Sequence, residues 1–400
     1  MKTVFLSMLA IAVLASCTRQ EFVDPSAPPK GEERVVELTI NSSSLSSKAT
    51  GAPTNDNDKG INDLTVFGVN ATSGAVITKT YFGSVEEDGV TLGHKLVTFV
   101  TTDQTTDIYV IANIGSDLTT TGGSLNVSTL TNLKKAQASL IVPANHAAKQ
   151  TEGVVLMSGF TTTINDGPVG VAPATATVSL NLIASKIVLK SMTRSADALG
   201  TYGTDFEFEG AMLTNVQTNA YYFGDGNPLS YIGAISGTPE VRPAITKGFV
   251  SGAATENWGQ QKITEFYQDL SQTASFDDTH PINNIAYWYV FENDEAIGAG
   301  GKPTALQIHY KWKKNDVDGA PTTDKYLSII FGNSPIPSLE PGKVYSINLS
   351  IDSDFRSTDQ GGSGGGGSDD PDQPAISGSV GVTVTPATWV PADDVNKPFN

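Results

Sequence analysis

The sequence predicts an all-β chain: two sandwiches in tandem, then a flexible linker and one last strand. Three observations carry that expectation. Thr, Ser, Gly, Asn, Val and Ile are abundant, the residues of strands and of the turns between them. Apolar residues recur at every second position in short runs, the period of a strand with one buried face. At 400 residues the chain is too long for one ordinary core.

In order, the runs are 64–69, 95–100, 108–114, 154–157, 176–182, 186–192, 287–291, 305–312, 326–331 and 344–351. Turn residues separate them at the spacing of antiparallel sandwiches. Residues 128–138 carry Leu130, Leu133 and Ala136 near helical spacing and read as one short inserted helix. An alternating apolar run gives way to Ser, Thr and Gly around 192–204. This places a first sandwich over 49–187 and a second over 188–352. The run Tyr287-Trp288-Tyr289-Val290-Phe291 has no polar face and suggests burial on both sides. Residues 298–302 read as the turn of a hairpin between Phe291 and Leu306.

Beyond Ile351 the composition changes abruptly. Residues 353–375 are Gly, Ser, Asp and Pro with almost no apolar side chain, the composition of a linker. Fully extended it reaches about 75 to 80 Å, and as a coil about 25 Å. It ends in a last segment, 376–400, where Ile376, Val380, Val382 and Val384 fall on one face of an extended strand and Trp389 follows. Such a row left in water invites aggregation. Burying its three valines is worth about 1.5 to 3 kcal/mol each. The strand needs a cover, either a slot in another molecule or an edge of its own second sandwich.

One short stretch near the other end is its chemical near-copy. Val36-Glu37-Leu38-Thr39-Ile40 and Val380-Gly381-Val382-Thr383-Val384 both place apolar residues at every second position, with Thr in the last polar slot. Each fits the same strand slot. If Val36, Leu38 and Ile40 leave with their strand, the second strand of another molecule can replace them, and the protein becomes a self-polymerising building block.

Residues 1–16 read as a lipoprotein signal: Lys2 supplies the positive start, 4–15 a short apolar run, and Leu14-Ala15-Ser16 lead to Cys17. About a dozen apolar residues are too few for a stable membrane span. Cys17 is then the acylated first residue, and as the only cysteine it leaves the mature fold without a disulfide or a cysteine-ligated metal. The 42 Asp and Glu against 25 Lys and Arg, with no basic stripe, argue against nucleic acid as a partner.

No catalytic constellation emerges, and no cofactor or metal is expected. His94, His146, His280 and His309 lack ligand spacing. Residues 361–365 match a nucleophile elbow in form, but they lie inside the linker. Residues 298–302 lack the first Gly of a phosphate loop. Residues 55–60 resemble a calcium loop, yet Lys59 stands where an oxygen ligand belongs, and a solvated loop is expected. Of Trp258, Trp288 and Trp312, only Trp312 lies among lysines as an exposed sugar-stacking residue would, and one aromatic is not a platform.

A series of motifs, each weak and together fairly specific, resembles the fimbrillins, the type V pilins of Bacteroidales, over essentially the whole chain. They are the signal ending at Cys17, Asp107-Ile108-Tyr109-Val110-Ile111-Ala112-Asn113-Ile114-Gly115, Val155-Leu156-Met157-Ser158-Gly159, and Ile183-Ala184-Ser185-Lys186-Ile187. Tyr289-Val290-Phe291-Glu292-Asn293-Asp294, Lys302-Pro303-Thr304, Leu339-Glu340-Pro341-Gly342-Lys343-Val344-Tyr345 and the strand 380–389 follow. The resemblance implies two transthyretin-like β-sandwich domains, delivery to the outer membrane as a lipid-anchored precursor, removal of the first strand by a surface protease, and head-to-tail assembly with identical or related fimbrial subunits. In such assembly the C-terminal donor strand enters the groove left in a neighbour.

The cut that frees the groove must fall after Ile40, in a segment a protease can thread. Lys48-Ala49 qualifies, between Ser42-Ser43-Ser44 and Gly51-Ala52-Pro53, making 17–48 a propeptide. Arg34 precedes the strand, and Lys59 is the alternative. The best-known members carry Arg at this spot; Lys48 points to a trypsin-like or Lys-tolerant enzyme. A structural subunit without an active site, supporting adhesion through a surface fimbria, is the first functional reading. The second is a monomeric surface lipoprotein that binds glycan or protein through its sandwich loops.

Overall fold

A computed structural model of the chain describes residues 31–42, 58, 60–85, 94–139, 141–142, 147–148, 154–167, 172–194, 205–217, 219–223, 231–232, 245–246, 249–250, 267–269, 282–295, 303–313, 322–332, 336–351 and 380–388. The first half holds β1 (Glu33–Ser42), β2 (Leu64–Asn70), β3 (Ala75–Phe82), β4 (His94–Thr102), β5 (Asp107–Ala112), α1 (Leu130–Lys134), β6 (Gln137–Ser139), β7 (Ile141–Val142), β8 (Ala147–Ala148), β9 (Met157–Thr161) and β10 (Ala174–Leu182). The second half holds β11 (Ser185–Arg194), β12 (Asp205–Thr214), β13 (Val216–Gln217), β14 (Asn219–Tyr221), β15 (Tyr231–Ile232), β16 (Ile245–Thr246), β17 (Phe249–Val250), β18 (Tyr267–Asp269), β19 (Ile282–Val290), β20 (Ala305–Lys313), β21 (Thr322–Ile330), β22 (Lys343–Ile351) and β23 (Val380–Thr388).

The chain is almost all β, as its alternating runs predict, and its sheets form sandwiches. In the first half, seven strands run in the order β3-β2-β5-β9-β10-β1-β4. The row folds over at β10, which pairs with β1 from Ala174 to Leu180 and with β9 only at Asn181 and Leu182. Gly159 permits the crossing: a Cβ there would lie 2.1 Å from the Ser179 carbonyl oxygen. The two layers enclose one core, in which Val36, Leu38, Ile40, Val97, Phe99 and Val178 meet Leu64, Val66, Ile108 and Val110.

β2 and β5 are covered on both faces. Leu64, Val66, Ile108 and Val110 face that core, while Phe67, Val69, Tyr109 and Ile111 belong to a second cluster that continues into the other half of the chain. There β19-β11-β22-β23 and β18-β12-β20-β21 form two sheets whose inward residues, among them Ile187, Leu189, Ile347, Leu213 and Ile308, share the core.

Four expectations are corrected. Pairing is not purely antiparallel: β1 lies parallel to β10, and β11 parallel to β22. The helix is only one turn or so, capped by the Thr129 hydroxyl, which accepts from the Asn132 amide at 3.2 Å; Ala138 passes instead into β6, paired with β14. Residues 298–302 lie outside the described residues, but β19 and β20, the strands on either side, belong to different sheets and are not the two arms of one hairpin. Tyr287 is 46 % exposed, unlike the rest of its run, and its ring faces the Lys186 ammonium at 4.7 Å.

Candidate strand-exchange site

β1 is an internal strand. On one side it pairs in parallel with β10, Val36 opposite Ala174 through Ser42 opposite Leu180; on the other it pairs antiparallel with β4, Glu33 opposite Thr102 through Asn41 opposite His94. Its alternation decides which side chains enter the core. Val36, Leu38 and Ile40 are each 0 % exposed, whereas Glu37 is exposed on the outer face and Val35 is partly so. Along this slot Val36 stands between Ala174 and Phe99, Leu38 between Ala176 and Val97, and Ile40 between Val178 and Lys95. The Lys95 side chain is buried and its ammonium donates to the Val85 carbonyl at 3.0 Å. At the other end the Arg34 guanidinium pairs with the Asp166 carboxylate and donates to the Thr105 carbonyl at 3.3 Å.

The chain downstream of β1 is fastened again before β2. Asp58 is 2 % exposed, and its carboxylate accepts from the Lys186 ammonium at 3.0 Å and from the Tyr289 hydroxyl at 2.7 Å. Both partners belong to the second half, on β11 and β19. Part of the loop expected to be solvated is therefore buried. Beyond it Asn113, held at φ 67°, donates from its amide to the Gly60 and Val155 carbonyls at 2.8 Å and accepts from the Asn62 amide at 2.8 Å. Asp63 accepts from the Ile114 and Gly115 amides at 2.9 and 3.0 Å. Burial nonetheless holds its carboxyl above the ordinary range, against the lowering effect of those two bonds.

Among the described residues β23 is the edge strand of its sheet and pairs on one side only, antiparallel to β22. The register sets Val380, Val382 and Val384 opposite Ile351, Leu349 and Ile347. Of the two covers open to this strand, an edge of its own second sandwich is the one seen. Cys17, Lys48, Ala49, Ile376 and Trp389 lie outside the described residues.

Sequence reasoning found the slot strand and the tail strand but missed the fastening. Asn113-Ile114-Gly115 after an apolar run, which the sequence reading takes only as part of a family motif, is a signal that could have pointed to a left-handed turn. Nothing local marked Asp58, whose partners are distant in sequence.

Comparison with known proteins finds two family models of major fimbrial subunits, one reaching into β1 and the other spanning β23. The family model for the major fimbrial subunit protein (FimA) matches residues 35–204, and that for the C-terminal domain of FimA-like major fimbrial subunit proteins matches residues 237–389. Among solved structures, a candidate cell adhesion protein of Bacteroides eggerthii is 24 % identical, with 90 % of this chain and 97 % of that chain covered and a TM-score of 0.64. A candidate cell adhesion protein of Parabacteroides distasonis is 15 % identical, covering 90 % and 99 %, with a TM-score of 0.56. The fimbrilin of Porphyromonas gingivalis W83 is 16 % identical over the same shares, with a TM-score of 0.52. These likenesses establish the fold. No curated protein matches the chain.

Proposed function

The chain belongs to the FimA-like major fimbrial subunit family, and we propose that it serves there as a precursor whose first strand is a removable plug. It is a structural subunit of a surface fimbria. In this reading residues 1–16 direct export, Cys17 carries the lipid at the outer membrane, and 17–48 is the propeptide. A trypsin-like surface enzyme cuts between Lys48 and Ala49. The sandwiches 49–187 and 188–352 remain, and the linker 353–375 lets the donor strand in 376–400 reach the vacated slot of another subunit.

The observation that carries the reading is the position of β1. A strand paired on both sides, with Val36, Leu38 and Ile40 fully buried, leaves on departure two unpaired edges and an open core. Each lost apolar side chain is worth about 1.5 to 3 kcal/mol of burial. An incoming strand recovers that and gains two ladders where β23 now has one. The slot and the tail belong to different sheets, so the contact joins unlike surfaces; in this reading it is head-to-tail and does not close on itself, which gives a filament.

The fit also explains why cutting must come first. Over the three inward positions the resident strand offers Val, Leu and Ile, whereas the tail offers three valines. The tail is smaller by two methylenes, about 0.8 kcal/mol each. The resident is also tethered, at an effective concentration of about millimolar for a short flexible connection. Cleavage removes the tether and lets the plug dissociate. The test is limited trypsin digestion followed by sedimentation: the nicked protein is expected to polymerise as its concentration rises. A nicked protein that stays monomeric at every concentration would favour the second reading, a monomeric surface lipoprotein binding glycan or protein.

A further inference from the structure

We propose that the buried contact of Asp58 with Lys186 and Tyr289 sets the downstream limit of processing: it directs the cut to Lys48 by keeping Lys59 out of reach, and it holds the processed end of the body in place. The inference rests on the reading that a protease removes β1. Two basic residues, Lys48 and Lys59, lie between β1 and β2. A protease needs several residues on each side of the bond drawn out into its cleft, so accessibility depends on how the flanking backbone is held.

The described residues on both sides of Lys59 are held. The residue before it, Asp58, is buried at the junction of the two halves, its carboxylate shared by an ammonium 3.0 Å away and a phenol 2.7 Å away. The Lys186 ammonium also lies over the Tyr287 and Tyr289 rings, at 4.7 and 5.1 Å. On the other side the Gly60 carbonyl and the Asn62 amide are bound by the side chain of Asn113, Ile61 is 2 % exposed, and Asp63 takes two amides of the β5 exit. Presenting the 59–60 bond to an enzyme requires undoing these contacts together, beginning with a desolvated ion pair, whose rupture strands a charge.

The same fastening keeps the slot usable. Ile61, Leu64 and Val66 belong to the core cluster that β1 completes. Once β1 is gone, a new amino end that frayed past residue 58 would pull these residues out and close the receiving groove. Because Asp58 is tied to β11 and β19, fraying stops before β2.

The test is a trypsin time course on the full chain extracted from outer membranes, with each product's amino end sequenced, for the wild type, Asp58→Ala and Lys186→Met. The wild type is expected to stop at Ala49. Both variants are expected to give a second product starting at Gly60, faster by roughly a hundredfold or more, because cleavage follows the population of the open form. Variants that stop at Ala49 as the wild type does would overturn the proposal, as would a wild type cut readily after Lys59. A wild type uncut at Lys48 instead contradicts the processing reading, and cleavage after Lys59 still reports on the clamp. Should a variant be digested throughout, hydrogen exchange on the wild type decides. The Asn62 amide should exchange as slowly as those of β2, and fast exchange there rejects the clamp.

Discussion

β1 and β23 share one alternating pattern and are held in opposite ways. β1 lies inside a sheet, with partners on both sides and a fully buried row of Val36, Leu38 and Ile40; β23 lies at an edge, with one partner. Strand chemistry therefore does not decide how firmly a segment is bound; its place in the sheet does. An edge strand can leave with the loss of one ladder, whereas an internal strand leaves only by opening a core. The molecule thus carries an edge strand at one end and, at the other, an internal strand whose removal, in the function proposed above, would open a vacancy.

The largest contrast is expected from placing a charge in each strand. Leu38→Asp puts a carboxylate into the first core and should destabilise the precursor by more than about 4 kcal/mol, or prevent folding. Val382→Asp should leave the precursor's melting transition nearly unchanged and abolish filaments in electron micrographs. Normal filaments from that variant would break the comparison. Truncation sharpens it: Leu38→Ala is expected to cost about 3 kcal/mol in thermal unfolding and Val382→Ala less than about 1 kcal/mol.

Filling out the tail tests the fit. Val384→Ile is expected to tighten subunit contacts by about 0.8 kcal/mol if the tail enters in the direction of β1, and Val380→Ile if it enters in the opposite one. Filament dissociation in denaturant measures either, and no gain from both variants would argue against the register. Arg34→Ala at the mouth of the slot should cost no more than about 1 kcal/mol, because Asp166 is exposed and the pair is screened.

The smallest effect concerns pH and involves neither strand directly. Burial raises the Asp63 carboxyl, so the folded state favours its protonated form. Its contribution to stability is fully present below the ordinary value of 3.8 and is lost as pH rises through the raised folded value. Across that window the wild type should lose stability relative to Asp63→Asn. Parallel melting curves across that acid range would contradict this.

Much of the fold was legible because alternation is local. The runs at 64–69, 95–100, 176–182 and 305–312 each fall within an observed strand. The run at 108–114 reads correctly as a strand, and β5 is buried along its whole length, a two-sided burial the sequence reading expects of 287–291 instead. What escaped depends on distant partners. The parallel placement of β1 against β10 and of β11 against β22 leaves no mark on either strand alone. The run at 154–157 is buried but enters β9 only at Met157, since the Val155 and Leu156 carbonyls are taken by the Asn113 side chain and the Ile183 amide. At the site, Val36, Leu38 and Ile40 were legible from their period, whereas Asp58 gained its role only through Lys186 and Tyr289.

The most direct measurement is a crosslink read against the protein's single natural cysteine, Cys17. In the proposed exchange the middle valine of the tail would take the place of Leu38 whichever way the strand enters, and Leu38 stands opposite Val97. In Val97→Cys with Val382→Cys, oxidation after cleavage at Lys48 should give a reductant-sensitive ladder of covalent multimers, and none before cleavage. In Leu349→Cys with Val382→Cys, which ties the tail to its own sheet, filaments should not form. A chain that polymerises with its tail still locked to Leu349→Cys, and that shows no ladder through Val97→Cys, would contradict the exchange of one strand for the other.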